Sequence, residues 1–198
     1  MIPYQDYKYK STLIPINLIT DYFKSLNLNT DDFITTEIGA FGGYTSYRML
    51  HYITPKEHYI NDTYEFYDKW NHLKNFGTWN RSGGNLTNKD FDDVYKYTKN
   101  IFSEYNNVKV VKGYAQDFLN EFPDNYFDFI FSGINVEPNL LTNIMKIVYD
   151  KTKIGGYIGG YPLITSPTYH KTVKTLLKYP NVKRISKIKN NIFLLKKV

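Results

Sequence analysis

Residues Thr36–Ser46 read TEIGAFGGYTS, which sets an acid, the apolar residues Ile38, Ala40 and Phe41, and three glycines within eleven positions. Phe33 to Gly39 reads as a short buried strand ending in glycine, and Tyr44 to Ile53 reads as the helix that follows it. Glycines at a strand-to-helix turn let backbone N–H groups approach whatever lies above the carboxyl edge of a sheet, the place where open α/β sheets bind ligands. The spacing Gly39-x-x-Gly42-Gly43 is not the dinucleotide pattern G-x-G-x-x-G, and no Lys-Ser/Thr pair of a phosphate-binding loop follows it. A ligand other than NAD or ATP is therefore expected. Glu37, beside the turn, would repel phosphate and suits a cationic, amine-bearing ligand.

The order of elements along the chain sets the fold class. Glu57–Asn61 is strand-like and ends beside Asp62; Lys89–Tyr105 has helical periodicity with Asn88 as its N-cap; Val108–Lys112 is a strand, and GYAQDFLNEF turns into a short helix. Phe127–Phe131 is a hydrophobic strand, Leu140–Asp150 a helix, and Tyr157–Leu163 a strand after a turn at Gly155–Gly156. Tyr169–Lys178 reads as a helix, and ISKIKNNIFLLKK as two strands around Asn190–Asn191. Alternation of this kind predicts an α/β fold with a mostly parallel sheet, helices on both faces and an antiparallel hairpin at its edge. One domain over residues 1–198 is expected, with a helical N-terminal extension over 1–32, in which Asn17–Leu26 has an apolar stripe, and a lid or insertion over 64–90.

Composition narrows the class. The chain has 198 residues and no cysteine, which removes disulfides and thiolate metal sites and suits a reducing, cytoplasmic setting. No run approaches the roughly 20 apolar residues of a membrane span. The net charge of +6 is uneven: from Lys151 to Val198 there are eleven Lys or Arg and no Asp or Glu. Such a block either attracts an anionic ligand or supplies solvated lysines that protect a sheet edge.

The motif Glu37-Ile38-Gly39-Ala40-Phe41-Gly42-Gly43 resembles the first motif of class I S-adenosylmethionine-dependent methyltransferases. The resemblance spans about Phe33 to Val198 and implies a Rossmann-like, doubly wound seven-stranded sheet with S-adenosylmethionine as cofactor. It implies cofactor-binding roles for Glu37, Gly39, Phe41 and Gly43. Asp62 matches the acid that holds the ribose hydroxyls, Gln116 and Asp117, with Ala115, match the adenine side, and Ser132 and Gly133 end the strand that faces the transferred methyl.

Within that superfamily, NDTYEF and NVKVVKGYAQDFL look like the macrocin-type sugar O-methyltransferases, which implies a small-molecule acceptor such as a sugar or nucleotide-sugar. That family's metal-binding aspartates are replaced here by FSGINVEP and GGYIGGYPL, and Asn135 with Glu137 does not make an octahedral carboxylate site, so no catalytic metal is expected. Glu137, His170 and His72 are the candidate bases, each with an ordinary surface role as the alternative. Asp128, early in its strand, reads as structural, and Tyr64, Phe66, Tyr67, Trp70 and Trp79 read either as an acceptor pocket or as lid packing. A catalytically inactive binding protein of the same fold and a nucleic-acid methyltransferase stay open as alternatives, the second disfavoured by the lack of an Asn/Asp-Pro-Pro-aromatic sequence after the fourth strand. A dimer is compatible with all three.

Overall fold

The computed structural model describes residues 21, 23–24, 29–64, 88–134, 138–160, 173–185 and 193–198. Its strands are β1 (Ile34–Ile38), β2 (Glu57–Asp62), β3 (Val108–Lys112), β4 (Phe127–Ser132), β5 (Thr152–Gly160), β6 (Val182–Arg184) and β7 (Phe193–Lys197). Its helices are α1 (Tyr44–Met49), α2 (Asn88–Phe102), α3 (Ala115–Asn120) and α4 (Pro138–Lys151), with a helical turn at 173–176. The strands form one sheet in the order β3-β2-β1-β4-β5-β7-β6, parallel from β3 to β5. β7 runs antiparallel to both β5 and β6. This is the expected mixed sheet with its terminal hairpin.

Side-chain alternation divides the core between the two faces. On β4, Ile130 joins Ile38, Leu119, Met145 and Leu176 under α3, α4 and the turn at 173–176. Phe129 and Phe131 point the other way and pack with Phe23, Met49 and Tyr157. Phe23 meets the rings of Phe129 and Tyr157 edge-on at 5.2 and 5.1 Å, so this part of the N-terminal extension is core. Beside it, Tyr44 and Tyr47 of α1 pack with Ile60 and with Ile101 and Phe102 of α2. Each buried aromatic of this kind contributes about 2–3 kcal/mol of burial free energy.

Three expectations shift. The Gly155–Gly156 pair lies inside β5, which starts at Thr152. There the register slips: Phe127 pairs with Thr152 and Phe129 with Tyr157, so residues bulge out, with Ile154 73% exposed. Glycine at 155, with φ +85°, permits that bulge. The first strand of the hairpin lies at Val182–Arg184, ahead of the expected Ile185 start, while the Asn190–Asn191 turn lies outside the described residues. Asn88 is the first residue of α2 and not the residue before it. The greater part of the 64–90 insertion, with Phe66, Tyr67, Trp70 and Trp79, also lies outside the described residues.

The basic block is partly consumed by the fold. Lys153 bonds Asp128 at 2.8 Å, and the same Asp128 Oδ2 accepts the Ile34 N–H at 2.8 Å, which makes Asp128 a structural clamp between β1, β4 and β5. Lys151 pairs with Asp124. Lys197 is 6% exposed and donates to Asn125 Oδ1 and to the Tyr149 and Thr152 carbonyls at 2.8–3.0 Å. Burial holds the Lys197 ammonium below the ordinary lysine range. Lys197→Met would leave those acceptors without a donor and is expected to cost about 2–3 kcal/mol, measured by urea unfolding. No helix among the described residues is long and apolar enough to cross a membrane.

Candidate functional site

The carboxyl ends of β1, β2, β3 and β4 meet around the Gly39–Gly43 turn. Gly39 has φ +75°, and the Asn61 carbonyl accepts both its N–H at 2.9 Å and that of Ala40 at 3.2 Å. A Cβ on Gly39 would lie 2.8 Å from the Ile134 nitrogen, and one on Gly133 would lie 2.8 Å from the Gly39 oxygen. The first glycine is therefore required twice, by its backbone conformation and by the backbone that follows β4. Gly133 N–H also donates to the Ile38 carbonyl at 2.8 Å. Phe41 takes a left-handed φ of +49°, unusual for an aromatic residue, and its ring meets Phe91 of α2 at 6.3 Å. Gly43, at φ +70°, precedes α1 and has no side chain to cap it.

Glu37 supplies the missing cap. It is 2% exposed, and its Oε2 accepts the Ser46 N–H at 2.8 Å together with the Ser46 hydroxyl. The Thr45 hydroxyl also bonds the carboxylate. Burial nevertheless pushes the Glu37 carboxyl up to about 7, with these hydrogen bonds opposing the shift. Behind Ser46 stands His58 of β2, fully buried, with Nε2 2.8 Å from Ser46 Oγ and Nδ1 2.7 Å from Thr35 Oγ1. Burial pushes the imidazole down to about 3, so it is neutral at any physiological pH.

Asp62 ties the end of β2 to the turn. Its Oδ2 accepts the Phe41 N–H at 2.6 Å, while Oδ1 has longer contacts of 3.3 Å from the Tyr64 N–H and the Thr63 hydroxyl. Burial raises its pKa and the N–H groups of Phe41 and Tyr64 lower it, leaving it above the ordinary aspartate value. The side chain is half-buried. The Asp62 carbonyl accepts the Gly113 N–H at 3.0 Å, which brings the β3–α3 loop alongside. Asn61 braces the same loop by donating to the Gly113 carbonyl at 3.0 Å, and its own buried Oδ1 has no donor among the described residues. At the start of α3, Gln116 is half-buried and Asp117 exposed. Ser132 is the last residue of β4 and pairs with Ile38 and Gly160.

The residues singled out from sequence thus gather at one edge of the sheet: Glu37 near the end of β1, Gly39, Phe41 and Gly43 in the turn after it, Asp62 against that turn, Gln116 and Asp117 beyond Gly113, and Ser132 at the neighbouring strand end. Glu137, His72 and His170 lie outside the described residues. Sequence reasoning passes over Ser46, His58 and Asn61. No sequence signal points to the polar chain, because the pairing of His58 with Thr35 follows from the register of β1 and β2.

This edge fits an adenosyl cofactor in its donor and acceptor inventory. Among the described residues, Asp62 Oδ1 keeps acceptor capacity for hydroxyls, Asn61 Oδ1 is an unfilled acceptor, and a Cβ at Gly113 would meet nothing within 4 Å. Among the described residues no three His, Asp or Glu side chains converge as a metal site.

No family model matches the chain, and no curated protein matches it in sequence. Solved structures do match. A precorrin-6y C5,15-methyltransferase of Geobacter metallireducens superposes with a TM-score of 0.62 at 16% identity, over 98% of this chain and 96% of that one. An SAH-bound methyltransferase of Podospora anserina gives 0.60 at 12% identity, over 96% and 80% of the two chains. A SAM-dependent methyltransferase of Aquifex aeolicus gives 0.56 at 13%, over 92% and 88%. The chain has the Rossmann-like fold of these methyltransferases.

Proposed function

We propose that the chain is an S-adenosylmethionine-dependent methyltransferase that methylates a hydroxyl of a small molecule, a sugar or nucleotide-sugar in the first instance, without a divalent cation. The observation that carries this reading is the junction of Asp62 with the glycine turn, because it sets a half-buried carboxylate with spare acceptor capacity beside closely packed backbone at the carboxyl edge of the sheet. When bound, the cofactor supplies a methyl group already activated by its sulfonium. The chain's part is to bind and align. Asp62 would hold the ribose hydroxyls, Gln116 and Asp117 the adenine side, Glu37 the amino end, and Ser132 would face the reacting end. Alignment of hydroxyl, methyl and sulfur supplies much of the acceleration. Glu137, His72 and His170 are the candidate bases for the acceptor hydroxyl.

The sugar acceptor rests on the likeness of NDTYEF and VVKGYAQDFL to sugar O-methyltransferases, and the metal-free reading on the lack of aspartates in SGIN and GGYIGGY. The test is transfer of labelled methyl from S-adenosylmethionine to a panel of sugars and nucleotide-sugars, with and without EDTA. Transfer that survives EDTA is expected. Activity abolished by EDTA and restored by Mg²⁺ contradicts the metal-free reading, and cofactor binding with no transfer to any acceptor favours a binding protein. Asp62→Ala is expected to weaken S-adenosylhomocysteine about ten- to a hundredfold, since it removes charge-assisted bonds to two hydroxyls. Calorimetry showing unchanged affinity would remove Asp62 from the site.

A further inference from the structure

The polar chain under the turn is continuous. Thr35 Oγ1, His58, Ser46 Oγ and Glu37 follow one another at hydrogen-bond distance, and all four residues are at most 2% exposed. Proton count fixes its direction. A neutral imidazole donates from one nitrogen and accepts at the other, and a hydroxyl donates one proton. The Ser46 hydroxyl lies against the Glu37 carboxylate on one side and His58 Nε2 on the other; above the Glu37 midpoint near pH 7 the ionised carboxylate can only accept, so Ser46 donates to it and His58 Nε2–H donates to Ser46. Nδ1 then accepts from the Thr35 hydroxyl. The opposite tautomer would draw the Ser46 proton towards His58 and leave the carboxylate without it.

We propose that His58 is a positioning residue for the cofactor's amino group: through Ser46 it fixes the Glu37 carboxylate as an ionised acceptor beneath the Gly39–Gly43 turn. The part that concerns the ligand rests on S-adenosylmethionine being the cofactor; the chain of donors does not. The groups that bear on Glu37 are His58 and Asp62 from β2, the Thr45 and Ser46 hydroxyls from α1, and the Tyr64 hydroxyl beyond β2. On β1 itself the neighbouring polar side chains are the threonines Thr35 and Thr36, and the facing position on β4 is Phe131. Ser46 is therefore the donor through which His58 acts.

The test begins on the wild-type chain without cofactor. Nitrogen-15 NMR of His58 at about pH 8.5, where Glu37 is ionised, is expected to show the neutral Nε2–H form, and the Nδ1–H form at that pH would overturn the proposal. Carbon-13 NMR of the Glu37 carboxyl then follows its titration. His58→Leu and Ser46→Ala are expected to raise its midpoint by about one pH unit, and His58→Gln, which keeps a donor at the Nε2 position, to restore it. An unchanged midpoint in His58→Leu and Ser46→Ala overturns the proposal; the wild-type spectra still decide the tautomer if His58→Leu does not fold. Titration with S-adenosylhomocysteine at pH 7 is expected to show about fivefold weaker binding in His58→Leu, recovered in His58→Gln. Wild-type protein that passes both NMR tests yet binds no S-adenosylhomocysteine overturns the cofactor reading, and with it the ligand role of His58, while the donor chain stands.

Discussion

Gly39→Ala is expected to lower the urea midpoint of unfolding by about 1–2 M, corresponding to about 2–5 kcal/mol. Two costs combine. A left-handed backbone costs a residue with a Cβ about 1–2 kcal/mol, and Gly39 sits at φ +75°. Overpacking adds about 1–3 kcal/mol, because the new methyl would stand 2.8 Å from the Ile134 nitrogen and 3.0 Å from the Gly133 carbonyl carbon, backbone atoms that cannot rotate away. Two companion variants separate these terms. Gly155→Ala has the positive φ, at +85°, but nothing within 4 Å of the new Cβ, so only the backbone cost is expected. Gly133→Ala has the close contact, 2.8 Å from the Gly39 oxygen, without a positive φ. If Gly39→Ala costs no more than Gly155→Ala, the packing of β1 against the β4 loop is not as described.

Glu37→Gln and His58→Gln are expected to change the pH dependence of stability in opposite directions. The Glu37 carboxyl goes from 4.5 to about 7 on folding, so the native state holds a proton that the unfolded chain has lost, and stability falls as pH rises between those values. His58 goes from 6.5 to about 3, so the unfolded chain holds the extra proton, and stability falls as pH drops through that range. Between pH 4.5 and 6.5 the two slopes, each about 1.4 kcal/mol per pH unit, cancel in the wild type. Relative to wild type, Glu37→Gln should gain about 3 kcal/mol across that window as pH rises, and His58→Gln should lose a similar amount. Chemical denaturation at a series of pH values reads both differences. Parallel profiles for the two variants would show that neither group is buried as described.

The sheet and its hairpin were legible because strands such as FDFIF are apolar but for one residue and glycine marks their ends. The Gly155–Gly156 pair misled because a bulge and a turn use the same glycine signal; only the pairing of β4 with β5 tells them apart. The residues proposed for the cofactor side were legible as a set at one sheet edge, since a strand end followed by a turn fixes where Asp62 and Asp117 lie. Glu37 was legible as an acid, but not as the cap of α1. That role depends on Ser46 folding back nine residues later, at the end of the stretch whose glycines set the turn. His58 was illegible because β-strand alternation says that a residue is buried without naming the polar neighbours across the sheet, here Thr35 and Ser46.

We propose that the Gly39–Gly43 turn, Asp62 and the β3–α3 loop together form the seat of an adenosyl cofactor. Isothermal titration of the full chain with S-adenosylhomocysteine tests it most directly. Saturable binding of one molecule per chain, lost or sharply weakened in Asp62→Ala, is the predicted result. No binding heat at millimolar S-adenosylhomocysteine or S-adenosylmethionine, from wild-type protein that unfolds cooperatively, would contradict it.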